Sequence, residues 1–424
     1  MKYLKKYQTK SEYDADYYSG KLPFPHVALV EGHVVYAEQF ESETDERTPF
    51  YIEAIEDLTV KFSVNAIEYS LDNSLWESLP VNTETPTVSA GNKIYFRAKG
   101  LTSSSSTGIG TFTISGKCNL GGNIMSMQNG ADFLNSRAIL STYRFSKLFY
   151  AQAKIINAKR LILPAQWLHS YCYQYMFYGC SSLVEAPELP ATSLADYCYC
   201  YMFYNCTSLV KAPALPAQTM ASNCYLYMFY GCSGLVEAPE LPATRLHTYC
   251  YSYMFSKCTS LVKAPALHAA SLSGADYCYQ YMFNGCSSLV EAPKLPSLIL
   301  SGYCYYHMFD GCTRLVKAPE LPATSLANYC YSYMFNGCSS LVKAPELPAL
   351  SPPQNSYSYM FQGCSNLQYI KAMMLTAPSS TISNNWVNGV GATGTFVKNF
   401  AATWENTFGN SLIPSGWTVE LADA

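Results

Sequence analysis

The sequence predicts a mixed α/β repeat protein: a solenoid of about ten turns, each with one short parallel strand and one short helix, preceded by a small β-sandwich. Three observations carry this. A Met-Phe pair recurs eight times, at Met176, Met202, Met228, Met254, Met282, Met308, Met334 and Met360, with a period of 26 residues broken once by a two-residue insertion near Ser273 and Gly274. Such a period marks stacked units that cannot bury their apolar faces alone. The position of Glu185 reads Glu185, Lys211, Glu237, Lys263, Glu291, Lys317, Lys343 along the repeats. Strands stacked about 4.8 Å apart would pair opposite charges in every step but the last. Each exposed pair is worth about 1 kcal/mol or less, so the alternation sets register more than stability. Residues 48 to 117, finally, carry alternating or β-branched runs such as "IEYSLDNSLWESL" and "NKIYFRAKG" parted by turn residues.

Taken in order, residues 1–46 form an amino-terminal segment, 47–120 an Ig-like β-sandwich, 121–395 the solenoid with an entry cap at 140–170, and 396–424 a closing cap. In the sandwich, Trp76 could stack on a carbohydrate, but a single Trp in such a module is more often core. The run Ser103–Ser106 reads as a flexible loop. Within a repeat, Leu168, Cys172, Met176 and Cys180 are spaced by four, which places them on one face of a short helix flanked by Tyr173 and Phe177. The helix is expected to close at Gly179 and its counterparts, mostly Gly or Asn, in the left-handed turn those residues tolerate; Lys257 is the exception. In "SSLVEAPELPA", Leu183, Val184 and Ala186 make the strand, and Pro187 and Pro190 end it by removing donors. Leu148-Phe149 reads as an entry unit, and the stretch from Trp386 to Val390 replaces the repeat pattern at the far end, where Trp404 and Trp417 are expected to seal the stack.

Fifteen of the seventeen cysteines fall on the two positions represented by Cys172 and Cys180. Eight residues along a helix rise by about 12 Å, and equivalent cysteines of neighbouring helices lie about 8 to 10 Å apart, both beyond disulfide reach. They read as buried thiols filling the core in preference to disulfides or metal ligands.

Charged residues are 13% against 15% aromatic, and the net charge is -3, so the basic stripe of a nucleic-acid binder is missing. No apolar run of about 18 residues predicts membrane insertion. The lysines near the amino terminus are followed by no apolar run, so no ordinary secretory signal is read here. His26, His33, His169, His247, His268 and His307 are isolated, without HExxH or a glycine-rich phosphate loop, and Cys198 and Cys200 form a lone C-x-C. No catalytic residue, metal or cofactor is expected.

With its Met-Phe core recurring eight times, written "MF-x-GCSSL" with variation at the Gly and Ser positions, the repeat resembles the BspA-type leucine-rich repeats of surface proteins in gut Bacteroidetes, other bacteria and related phages. The resemblance implies a leucine-rich-repeat solenoid used in adhesion or host interaction and carries over no active site. Residues 1–46 are similar to short amino-terminal modules on appendage proteins of Bacteroides phages, which implies docking to a particle or to neighbouring subunits; the alternative is a strand hairpin that packs on the sandwich.

Comparison among the repeats separates what the fold fixes from what it leaves free. Positions 171, 174 and 178, at i, i+3 and i+7, are read as the helix face opposite the cysteines, and two of them vary widely. The candidate ligand-binding face is therefore Tyr171, Gln174, Tyr178, Tyr197, Tyr204, Leu226, Tyr230, Tyr249, Ser252, Tyr277, Gln280, Asn284, Tyr303, Tyr306, Asp310, Tyr329 and Asn336. Tyr, Ser and Asn are what antibody paratopes favour, because a rigid ring gives contact area at low entropic cost and small polar groups adapt. The other reading is that these positions are merely exposed and unconstrained. The expected protein is a non-enzymatic adhesin at a bacterial surface or on a virion, binding a glycan or protein outside the cell, or else a structural spacer with no ligand.

Overall fold

The structure is a computed structural model that describes residues 46–99, 108–139 and 141–423, together with three strands earlier in the chain: Leu4–Tyr7 (β1), His26–Val30 (β2) and His33–Ala37 (β3). β1 pairs with β2 in parallel, and β2 with β3 antiparallel, within a unit of residues 1–46. The side chains that would test its docking role, and the run Ser103–Ser106, lie outside the described residues.

The second unit, Arg47–Ala424, opens with two sheets. Six strands run in the order β11-β10-β4-β8-β6-β7: Ile155–Ile162 (β11), Cys118–Asn123 (β10), Tyr51–Ala54 (β4), Lys93–Ala98 (β8), Ile67–Ser70 (β6) and Glu77–Leu79 (β7). Val60–Phe62 (β5) and Phe112–Ile114 (β9) form the second sheet. Along β8, Ile94, Phe96 and Ala98 are buried while Lys93, Tyr95 and Arg97 are half-exposed, the period of two that the sequence shows. Phe62 and Phe96 both pack on Phe112, at 4.6 and 5.0 Å between ring centroids. That core does not stop at the first repeat: Phe112 stacks on Phe149 at 5.7 Å, and Phe149 on Phe177 at 5.2 Å. β10 also pairs in parallel with β11, so the six-stranded sheet runs directly into the repeats.

Among the described residues the eight regular repeats hold no helix, one turn of helix forming only later at Ser380–Ser383; the expected helical segment is a ribbon of consecutive turns. Even-numbered amides from Cys172 to Cys180 donate to the carbonyl three residues earlier, as from Met176 to Tyr173 at 3.1 Å. Odd-numbered amides donate to the next repeat, as from Tyr173 to the Cys198 carbonyl at 2.9 Å and from Phe177 to the Met202 carbonyl at 2.9 Å. The odd carbonyls accept within the repeat and the even ones accept from the repeat before, so the backbone is satisfied without a helix. Two short facts explain the substitution. A helix of fewer than three turns is marginal by itself, whereas this ribbon gains a hydrogen bond to its neighbour at every second residue. Every fourth residue, Tyr171, Tyr175 and Gly179 in the first full repeat, sits at φ of 61, 58 and 70°, which no α-helix accommodates.

The side-chain consequence matches the sequence pattern even though the reason differs. Cys172, Tyr173, Met176, Phe177, Cys180 and Leu183 are buried in every sense that matters for packing, each at 1% exposure or less. Identical residues stack on identical residues from repeat to repeat. One internal ladder of parallel rings runs Tyr173, Tyr199, Tyr225, Tyr251, Tyr279, Tyr305, Tyr331, Tyr357, and a second runs from Phe177 to Phe361. Trp386, fully buried, closes both: its ring meets Tyr357 at 6.3 Å and Phe361 at 6.2 Å.

The expected strand is reduced to isolated parallel bridges, which link Glu185, Lys211, Glu237, Lys263, Glu291 and Lys317 in order. A longer, wholly parallel sheet forms at the carboxy-terminal end, from Tyr369–Ala372 (β12), Thr395–Lys398 (β13) and Thr418–Leu421 (β14). There the Trp404 and Trp417 indoles donate to the Met374 and Gly391 carbonyls, which ties the closing segment to the stack.

Candidate binding surfaces

The turn ribbon leaves one broad face outside, built from positions 171, 174, 175 and 178 of each repeat. At positions 171 and 175 the backbone is left-handed, a conformation that costs a non-glycine residue about 1–3 kcal/mol. Parallel rings return about 0.5–1.5 kcal/mol per pair beyond burial, so stacking offsets much of that cost. Where tyrosine is lost, the replacement is Asn223, Asn355 or His307, all at positive φ and all of residue types that enter this region more readily than most.

Three ladders result. The middle one is unbroken over eight repeats: Tyr175, Tyr201, Tyr227, Tyr253, Tyr281, His307, Tyr333 and Tyr359, with centroids 4.1 to 4.9 Å apart. On one side lie Tyr143, Tyr171 and Tyr197, then Asn223, then Tyr249, Tyr277, Tyr303 and Tyr329, with stacking distances of 4.5 to 4.7 Å. On the other, Tyr150, Tyr178, Tyr204 and Tyr230 stack at 4.7 to 4.9 Å, and Lys257 Nζ caps the last ring 5.3 Å from its centroid. Beyond Tyr230 this third ladder becomes polar. Ser256 donates to Asn284 Oδ1 at 3.1 Å, Asn284 to the Asp310 carbonyl at 3.2 Å, and Asn336 to Asp310 Oδ1 at 2.8 Å. Asp310 Oδ2 also lies 2.7 Å from His307 Nδ1.

Most of the sequence-selected residues lie on this face, although on turns and not on a helix. The ring positions Tyr171, Tyr178, Tyr197, Tyr204, Tyr230, Tyr249, Tyr277, Tyr303, Tyr306 and Tyr329 are half-buried, as are Gln174, Leu226, Gln280, Asn284, Asp310 and Asn336. Ser252 is a correction: at 0% exposure it does not reach the surface that the longer Gln174 and Gln280 reach. Sequence comparison missed the middle ladder, because its near-invariance among repeats reads as packing. Its signal was a chemical one: an amphipathic Tyr kept at a left-handed position where Gly would suffice.

Burial pushes the Tyr175, Tyr201, Tyr227, Tyr253, Tyr281 and Tyr333 phenols of the middle ladder up from their ordinary range, Tyr253 and Tyr333 to about 12, and neighbouring tyrosines add to the shift. The ladder is therefore neutral, donates hydroxyl hydrogens and presents ring edges, since its ring faces are covered by one another. Trp76, half-exposed, has its own ring covered by the Arg97 guanidinium at 4.1 Å, so it is neither core nor an open platform.

All seventeen cysteines are free and buried. The Cys180-type thiols have a role beyond filling space: Cys206 donates to the Phe177 carbonyl at 3.2 Å, and Cys232 to Phe203 at 3.0 Å. Among the described residues no group of three or more His, Cys, Asp or Glu gathers to hold a metal, and no helix is long and apolar enough to cross a membrane.

The charge ladder behaves more weakly than its order suggests. Its backbone bridges form, yet among the described residues none of its lysines closes an ion pair with the glutamate of the next repeat, and Glu185 accepts from Asn157 instead. Beside it runs a proline-walled groove that sequence reading did not anticipate. It holds cavities of about 510 Å³ between Pro187 and Pro216, about 510 Å³ between Pro293 and Pro322, and about 670 Å³ between Pro319 and Tyr369.

The BspA-type leucine-rich-repeat region matches residues 150–290 and 277–390, in six copies, over more than half of the chain. The chain belongs to the BspA-type leucine-rich-repeat family. No curated protein matches it. BspA-type proteins are usually surface-exposed, and such repeats typically serve as non-enzymatic interaction scaffolds. In this BspA-type chain the stretch with the repeat signature is the one that builds both the tyrosine face and the proline-walled groove.

Proposed function

We propose that this chain is a non-enzymatic adhesion protein whose repeats form a solenoid of about ten turns and present the tyrosine ladders to a glycan or protein on a cell surface. The observation that carries the reading is the unbroken middle ladder from Tyr175 to Tyr359, flanked on both sides by further rings. Such a surface is rigid before it meets a ligand, so little conformational entropy is lost on contact. Weak contacts repeated from unit to unit add through avidity. The protein acts outside the cell, on a bacterial surface or a phage particle, with residues 1–46 as the docking segment.

A specific observation favours a second reading, a structural spacer. The ring faces are spent on one another, which makes a stiff rod whether or not anything binds. Binding of the purified chain to intact gut bacteria separates the two, measured against a Tyr178→Ser, Tyr204→Ser, Tyr230→Ser variant whose fold is verified by circular dichroism. Loss of binding with the fold intact is the expected result. Absence of binding by both proteins would favour the spacer.

A further inference from the structure

The three cavities of the proline-walled groove share one frame and differ in charge. The first is lined by Lys159 and Lys211 with Glu185 and Glu188, and the second by Lys294 and Lys317 with Glu291 and Glu320, two of each sign. The third has Lys317, Lys343 and Lys371 against Glu320 and Glu346, and so carries one surplus cation.

The surplus arises at the single step where the Glu/Lys alternation fails, and there the backbone pairing along the groove is interrupted. The Val210, Val236, Val262, Val290 and Val316 amides each donate to the valine carbonyl of the preceding repeat, at 3.3 to 3.5 Å. Among the described residues Val342 makes no such bond, and the bridge found at the other steps is missing between Lys317 and Lys343. Lys317 and Lys343 stand on neighbouring repeats and repel each other as like charges. Lys371 is held by Glu346 at 3.1 Å, and Lys343 lies 4.7 Å over the Tyr369 ring. Among the described residues no carboxylate closes an ion pair with Lys317 or Lys343.

We propose that this cavity binds a carboxylated sugar, its carboxylate between Lys317 and Lys343 and its ring against Pro319, Pro345 and Tyr369. The volume of about 670 Å³ lies within the range of small-molecule sites. Glu320 and Glu346 accept from hydroxyls and repel a densely sulfated or phosphorylated polyanion, so the lining suits one negative charge on a hydroxyl-rich body. The prolines offer no amide hydrogen, which denies an extended acidic peptide the strand pairing by which it would dock. This site is separate from the tyrosine ladders and does not depend on them.

Calorimetric titration of the full chain with a galacturonic acid disaccharide, against the neutral galactose disaccharide, tests it. The acidic sugar is expected to bind at least about tenfold tighter and to weaken with added salt. Lys343→Glu, which restores the alternation, is expected to abolish the preference, as is Lys317→Gln, while Lys211→Glu in a charge-balanced cavity leaves it intact. The Tyr178, Tyr204, Tyr230 to Ser variant should bind the disaccharide as the wild type does, which separates this site from the adhesive face. Equal binding of both sugars, undiminished binding by Lys343→Glu, displacement by equimolar acetate, or tighter binding of an aspartate tripeptide would each overturn the assignment.

Discussion

The Cys206 thiol donates to the Phe177 carbonyl at 3.2 Å, and that same carbonyl accepts the Cys180 amide of its own repeat at 3.1 Å. One oxygen thus ties two repeats together in the core. Cys206→Ala should cost about 1 kcal/mol through the lost donor and the small void, whereas Cys206→Leu should cost about 1–3 kcal/mol by overpacking. Urea midpoints of the two variants measure this, and the reverse order would disprove the fit.

The same burial makes the thiols inert. Cys172, Cys232, Cys250 and Cys304 are pushed up to about 12 by desolvation. A thiolate is the reactive form, so Ellman's reagent at pH 8 is expected to find almost no thiol in the native chain and all seventeen after denaturation. Rapid native labelling of several would contradict the packing.

The Tyr173 and Tyr357 hydroxyls, in the first and last rings of the internal tyrosine ladder, are buried without a hydrogen-bond partner. Removing an unsatisfied polar atom while keeping the ring relieves its desolvation penalty, about 1–3 kcal/mol per group. Tyr173→Phe and Tyr357→Phe should therefore be neutral or stabilising, unlike an ordinary core change. Thermal melts that fall by several degrees would mean that a partner holds these hydroxyls.

Much of this was legible in the sequence, and the failures have physical reasons. The 26-residue period, the order of Glu185, Lys211 and their successors, and the buried positions Cys172, Met176 and Cys180 all follow from repetition alone. The helix did not, because a spacing of four over eight residues suits a helix and a chain of turns equally. What separates them is the left-handed residue at every fourth position, and Tyr171 and Tyr175 conceal it since only Gly179 advertises such a φ. Ser252 was misplaced because a face reading takes no account of side-chain length. The groove stayed hidden since it lies between prolines of successive repeats, such as Pro319 of one and Pro345 of the next, a relation visible only once the repeats are stacked.

Alkali should dissolve the tyrosine face. Tyr253 and Tyr333 titrate at about 12 in the fold, chiefly through burial, against about 10 in an unfolded chain. The fold thus holds protons that the unfolded state has lost, so stability is complete below pH 10 and declines as pH rises from 10 to 12. Tyrosinate absorbance and circular dichroism should change together in that window; phenols ionising near pH 10 with the fold unchanged would show that the ladders are open to water.

Lys257 occupies the left-handed position that Gly179 and Gly285 hold in other repeats, at φ of 61°. Its strain of about 1–3 kcal/mol is partly offset by its contact with Tyr230, worth about 0.5–1 kcal/mol. Lys257→Gly should raise stability by about 1 kcal/mol, and a loss would show that the cation matters more than the backbone.

Trp386 takes the place of the next Met and ends both internal ring ladders, with its indole N–H donating to the Leu412 carbonyl at 2.8 Å. Trp386→Ala should cost about 3–5 kcal/mol, as expected for a large ring removed from a core. Because each repeat contacts chiefly its neighbours, the damage should begin at the carboxy-terminal end and fade toward the six-stranded sheet. Hydrogen exchange reads this directly: protection is expected to fall at Phe361 and Tyr357 first and to persist at Phe177. Uniform loss along the chain would mean that the stack unfolds as one cooperative unit, and that the cap sets the stability of every repeat.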